Sequence, residues 1–177
     1  MKRKLIILFV VALQISGCQK TKKAELPEIE NGTKEIDRNG YSITYDSTFK
    51  LDESGRNGTE FFLFKPSKPG DEFAENINLM IQNLATLQYD LNQFVRLSEK
   101  QIKANGKLVE SVRKKAGDQE YHVLIFEGNF NGLDLKIMQY DFVKNDKAYL
   151  LTFSAKRNEF DSHQKEVETV MNSFKLK

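Results

Sequence analysis

The stretch from Gln119 to Lys156 constrains this chain more than any other. Three runs within it, Tyr121 to Asn129, Leu133 to Lys144 and Lys147 to Ala155, alternate in polarity and are rich in β-branched and aromatic residues. Asn131-Gly132 and Asn145-Asp146 separate them. Asn, Asp and Gly tolerate the positive φ of the two-residue turns whose twist matches flanking strands. The stretch therefore reads as three antiparallel strands in a meander.

Two-residue turns also set the register. His122 falls opposite Asp141, and Asp141 opposite Leu150; Leu124, Gln139 and Thr152 form the next row, and Phe126, Ile137 and Ser154 the one after. Side chains alternate across a strand, so the other face carries Tyr121, Val123, Ile125, Met138, Tyr140, Phe142, Tyr149, Leu151 and Phe153. That face is apolar throughout and needs a cover. At its end Glu127 faces Lys136, an opposite-charge pair that favours this register. The face of His122, Gln139, Asp141 and Thr152 is mixed. It reads either as a lining for a small ligand or as a half-covered surface where a His–Asp pair is solvated.

Upstream, Tyr41 to Tyr45 alternates as a strand, Asp46 to Lys50 turns towards a second short element, and Thr59 to Phe64 has the continuous apolar run of a strand covered on both faces. Asn76 to Leu84 alternates and should bury one face. Asp90 with Gln93 three residues later forms a capping box, followed by Leu91, Phe94, Val95, Ser98 and Ile102 at helical spacing. Asn105-Gly106 should close that helix with a left-handed residue. Leu108 to Lys115, with Arg113, Lys114 and Lys115, suits a sheet edge. Asp161 or Ser162 should cap a last helix that buries Val167, Val170, Met171 and Phe174. This helix is the natural cover for the apolar wall. The fold class is α+β: an antiparallel sheet with a C-terminal three-strand meander, covered by helices.

The beginning of the chain has a different character. Met1 to Lys4 is charged, and Leu5 to Leu13 is a nine-residue apolar run. As a helix the run spans ~14 Å, well short of the ~30 Å hydrocarbon core, so it reads as the apolar region of a signal peptide. It leads into Ile15-Ser16-Gly17-Cys18, which resembles the lipobox of bacterial lipoproteins. The resemblance implies residues 1–17 as a removed signal and Cys18 as a lipidated first residue; two or more acyl chains make a stable anchor. The alternative is an ordinary secretory signal with a chance cysteine. Gln19 after Cys18, where Asp would signal inner-membrane retention in enterobacteria, implies the outer membrane if the cell has one. Residues 18–38 then form anchor and tether, since Gln19 to Arg38 is polar and lacks a sustained apolar period. Twenty flexible residues span about 25 Å root-mean-square. Lys20, Lys22 and Lys23 read either as a solvated linker or as contacts to anionic lipid. Residues 39–177 form the globular domain.

Composition narrows the chemistry. The formal charge of +2 includes Lys2, Arg3 and Lys4; without them 24 basic residues face 25 acidic ones. A neutral mature chain lacks the net basic charge of a nucleic-acid binder. Lys103, Lys107, Arg113, Lys114 and Lys115 carry no interleaved aromatics for base stacking. With one cysteine the chain forms no internal disulfide, and no His or Cys cluster shows metal-ligand spacing, so no metal or cofactor is expected. Acidic pairs such as Asp52-Glu53 and Asp71-Glu72 lie in turn-like segments and read as solvated, the alternative being a weak Ca²⁺ contact. Asp161-Ser162-His163 matches a hydrolase triad only as letters, because successive helical residues point about 100° apart. Gly128-Asn129-Phe130-Asn131-Gly132 is a hairpin end without the Lys-Ser/Thr of a phosphate loop. No catalytic constellation emerges.

From about Gly40 onward the chain resembles a PsbP-like domain. The resemblance rests on Tyr41-x-Ile43-x-Tyr45, Asn76-Ile77-Asn78-Leu79, Leu91-x-x-Phe94, Gln139-Tyr140, Ala148 to Ala155, and the closing Phe160 and Ser173-Phe174. It implies an antiparallel sheet sandwiched between helices. The family includes an extrinsic photosystem II subunit, a Ran-binding nuclear release factor and bacterial lipoproteins, and activity does not transfer across such a scaffold. With the lipobox, the resemblance implies an envelope lipoprotein that serves as a non-enzymatic accessory or protein-interaction module. The alternative is a carrier or sensor of a small apolar or lipid ligand on the face of His122, Gln139, Asp141 and Thr152.

Overall fold

The computed structural model describes residues 32–66 and 73–177. In chain order these form β1 (Thr33–Asp37), β2 (Tyr41–Asp46), β3 (Lys50–Asp52), β4 (Thr59–Phe64), β5 (Asn76–Asn83), α1 (Leu91–Asn105), β6 (Lys107–Ala116), β7 (Gln119–Phe130), β8 (Leu133–Lys144), β9 (Lys147–Lys156), α2 (Phe160–Asn172) and β10 (Lys175–Leu176). A seven-stranded antiparallel sheet runs β3-β4-β5-β9-β8-β7-β6, and a small sheet runs β1-β2-β10.

The meander is the centre of the large sheet, with the expected register: His122 opposite Asp141, and Asp141 opposite Leu150. Its turns work as the residue types require. Asn131 and Gly132 sit at φ 53° and 90°, Asn145 and Asp146 at 51° and 56°. Glu127 does face Lys136, yet the two do not pair. Lys136 Nζ reaches Asp161 at 2.8 Å, while Glu127 takes Lys107 at 3.2 Å and Arg157 at 3.8 Å. The register is right, but long side chains at the end of the sheet find their charges elsewhere.

The apolar face carries the main core. Its nine side chains join Phe160, Val167, Val170 and Met171 of α2, Phe174 just beyond, and Ile36, Tyr41, Ile43 and Tyr45 from the small sheet. The cover is therefore a helix and a sheet together, not the helix alone. Phe174 joins the two, with ring centroids 5.0 Å from Phe142 and 5.7 Å from Tyr41. Thr33–Asp37, which reads in sequence as the end of the tether, is the outer strand of that small sheet and buries Ile36. One apolar residue among charged ones leaves no periodic signal, so the strand is invisible without its partner.

Local signals differ in how well they translate. The capping box is made in full: Asp90 Oδ1 accepts from Gln93 N at 2.7 Å, and Gln93 Oε1 accepts from Asp90 N at 2.9 Å. Gly106, by contrast, is extended (φ −169°, ψ −161°) and not left-handed. Its missing side chain serves a close approach, because a Cβ there would lie 2.7 Å from the Glu127 carbonyl oxygen of β7. In α2 neither Asp161 nor Ser162 caps the helix. It starts at buried Phe160 with Glu159 in the N-cap position and no side-chain cap, and Ser162 Oγ instead donates to Glu159 O at 2.6 Å. On β5 both faces are covered at first: Asn76 and Asn78 are buried, and Asn78 Nδ2 donates to Asn76 Oδ1 at 3.1 Å. Polar residues on that face satisfy each other, which alternation by itself cannot reveal.

Candidate functional site beneath α1

The mixed face of the meander lies under α1, whose buried residues are Phe94, Val95, Ser98 and Ile102. Ile102 packs with Leu124, Phe126, Leu135 and Ile137, and Phe94 with Leu84, Ala148 and Leu150. Between these two apolar clusters sit the polar residues. Gln139 and Asp141 are 1% and 0% exposed, so the His–Asp pair is not a solvated surface. Nor is it a pair: Asp141 Oδ1 accepts from Gln139 Nε2 at 2.7 Å, and Oδ2 has no hydrogen-bond partner. Thr152 lies opposite both Gln139 and Asn78 at partial burial.

Burial drives the Asp141 carboxyl up to about 7, against the opposing pull of Gln139 and Ser98. Ser98 Oγ is itself buried without a well-formed hydrogen bond. A neutral Asp141 needs less solvation than a carboxylate in this buried setting. Desolvation here favours a protonated carboxylic acid in the interior.

His122 points its ring at a different partner. Its Nε2 lies 2.7 Å from Ser111 Oγ on β6, and that hydroxyl donates to Glu99 Oε1 of α1 at 2.5 Å. With the Ser111 proton given to Glu99, Nε2 must carry the hydrogen, which leaves the Nδ1 lone pair buried and unpaired. Burial, reinforced by Arg113 and opposed by Glu99, lowers the His122 pKa. The Ser111 hydrogen bond holds Glu99 below its ordinary range. A hydroxyl beside an imidazole suggests a nucleophile and base, but the polarity is reversed. A general base needs a free Nε2 facing the hydroxyl and a carboxylate orienting Nδ1. Here the carboxylate holds the hydroxyl, and Nδ1 has no hydrogen-bond partner.

Other residues singled out in the sequence find ordinary partners. Lys103 pairs with Glu99 at 3.4 Å, Lys107 with Glu127, and Arg113 donates to Asn92. Asp52 pairs with Arg56 at 3.0 Å, and Glu53 with Arg38. Asp71-Glu72 and Cys18 lie outside the described residues.

One assembly had no sequence signal. Glu75, just ahead of β5, Glu159, at the start of α2, and His163, in its first turn, bring one possible ligand atom each to within 4.8 Å of one another. Glu159 and His163 are four apart and share a helix side, but Glu75 is far away in the chain. Only the pairing of β5 with β9 makes them neighbours.

No protein-family model matches the chain, and no curated protein matches it by sequence. Solved structures do match. The architecture is a helix-flanked antiparallel sheet, and the particular fold is PsbP-like. The solution structure of cyanobacterial PsbP from Synechocystis aligns with a TM-score of 0.64 at 12% identity, covering 92% of this chain and 99% of that one. LpqN of Mycobacterium tuberculosis, described as involved in cell envelope biogenesis, aligns at 0.60 and 13% identity over 83% and 92%. A Pseudomonas aeruginosa protein of unknown function, PA94, aligns at 0.56 and 8% identity over 80% and 94%.

Proposed function

We propose that this protein is a lipid-anchored accessory module of the cell envelope that acts by binding another protein and not by catalysis. The observation that carries the reading is the arrangement under α1: Ser111 is held between Glu99 and His122 with the wrong polarity for a nucleophile, and Asp141 is sealed in the core. Outside lies β6, a ten-residue edge strand with exposed Val109, Lys114 and Lys115, the type of surface to which partner chains add. Among the described residues no helix is long and apolar enough to cross a membrane. The lipobox-like Ile15-Ser16-Gly17-Cys18 supports attachment through Cys18, and Gln19 favours the outer membrane where one exists. The likeness to LpqN fits an envelope setting.

Two measurements test this. Cys18→Ser should abolish palmitate labelling in cells, and a variant still labelled refutes the anchor. Affinity capture of the native chain from crosslinked cells should return a reproducible envelope protein; recovery of none overturns the binding role. A second reading, carriage of a small apolar or lipid ligand on the face of His122, Gln139, Asp141 and Thr152, draws support from the unpaired polar atoms there. It requires α1 to lift from the sheet, and native mass spectrometry of gently extracted protein should then show a bound mass.

A further inference from the structure

We infer that Glu75, Glu159 and His163 form a divalent transition-metal site, of a type that takes Zn²⁺. The three donors come from different parts of the chain and converge, with all ligand atoms within 4.8 Å of one another. Tetrahedral bonding to one imidazole nitrogen and two carboxylate oxygens at about 2.0–2.2 Å needs only a modest contraction of that arrangement. Their supports are rigid. His163 is on α2, whose Val167 and Val170 are locked in the main core, and Glu159 is four residues earlier on the same side of the helix start. Glu75 stands between buried Phe73 and the first residue of β5, which is paired to β9.

A second observation points the same way. Glu75 and His163 also line a cavity of about 30 Å³, whose other walls include Phe49, Ile77, Phe153 and Val167. That is room for one water, and Lys65, Asn76 and Glu166 line it beside the two donors. A metal held by three protein donors keeps its fourth position for a water, and the cavity supplies the place. The site has a resident competitor. Lys156 Nζ lies 3.9 Å from Glu159, at the long end of an ion pair, and a metal ion would displace that ammonium. Lys65 is occupied nearby by Glu166 at 2.6 Å. The donor set selects the cation, because imidazole favours Zn²⁺ over Mg²⁺, whereas carboxylates alone do not.

Isothermal titration of the untagged mature chain with Zn²⁺, and separately with Mg²⁺, tests the site. One Zn²⁺ per chain should bind, with Mg²⁺ much weaker. Loss of an outer-shell partner typically weakens metal sites 10–100-fold, so His163→Ala, Glu75→Gln and Glu159→Gln should each cost about 100-fold or more. Glu166→Gln, which alters a cavity wall but no donor, should stay within about twofold, and Lys156→Met should tighten binding by removing the competing cation. Circular dichroism of each variant confirms that the fold is kept. Failure to saturate with Zn²⁺ below about 1 mM overturns the assignment. So do equal affinities for Zn²⁺ and Mg²⁺, or a His163→Ala variant that binds like the parent.

Discussion

Strands β7, β8 and β9 present two faces built by the same alternation, and the two are covered on different terms. The face towards α2 and the small sheet is nine apolar side chains meeting apolar side chains from Phe160, Val167, Val170, Met171 and Phe174. Apart from tyrosine hydroxyls such as that of Tyr140, which donates to Asn172 Oδ1 at 3.3 Å, it requires shape alone, so its contribution is the same in acid as at neutral pH. The face towards α1 mixes two apolar clusters with Gln139, Asp141, Ser98 and the Glu99–Ser111–His122 chain. There the burial of polar atoms exacts a cost that hydrogen bonds offset only in part, and protonation sets the balance. A sheet can thus have one face that holds the fold together by shape and another whose contribution varies with the charge state of a buried group.

The sharpest way to break the comparison is a cavity on the apolar face. Phe153 is buried against Phe160, with ring centroids 5.3 Å apart. Phe153→Ala should cost about 3–5 kcal/mol, and urea denaturation should give the same loss in acid as at neutral pH. A loss that varied with pH would mean that the two faces are not separable.

Asp141→Asn tests the other face. The folded carboxyl titrates near 7 and the ordinary value is 3.8, so between them the folded protein binds more protons than the unfolded chain. Stability contributed by this group therefore falls as pH rises from about 4 to about 7, and the full penalty applies above that. Asn keeps the acceptor for Gln139 and carries no charge. The variant should match the parent near pH 4 and exceed it by up to about 4 kcal/mol near pH 8, at ~1.4 kcal/mol per unit. Parallel denaturation curves of the two proteins across pH check it; a constant difference would show that Asp141 does not change charge state in the fold.

A smaller effect should come from the cover itself. Asp90→Ala removes one half of the capping box and should cost about 1 kcal/mol, with hydrogen exchange quickening in α1 while amides under α2 keep their protection.

The sequence alone determined the meander, its register, the division of its faces, and the start of α1. These follow from short-range rules: a period of two, turn residues with positive φ, and a cap three residues from its partner. Chemistry that depended on chain-distant neighbours was not legible. The pairing of Lys136 with Asp161 in place of Glu127, the role of Gly106 beside Glu127, and the strand status of Thr33–Asp37 each required a neighbour that sequence spacing does not specify. The same limit governs the sites. His122, Gln139 and Asp141 were placed on one face by alternation, but only the packing of α1 over them decided that Asp141 is buried and that His122 turns to Ser111. Glu75, Glu159 and His163 left no motif at all, because β5 and the start of α2 meet only through the strand pairing that the folded chain completes.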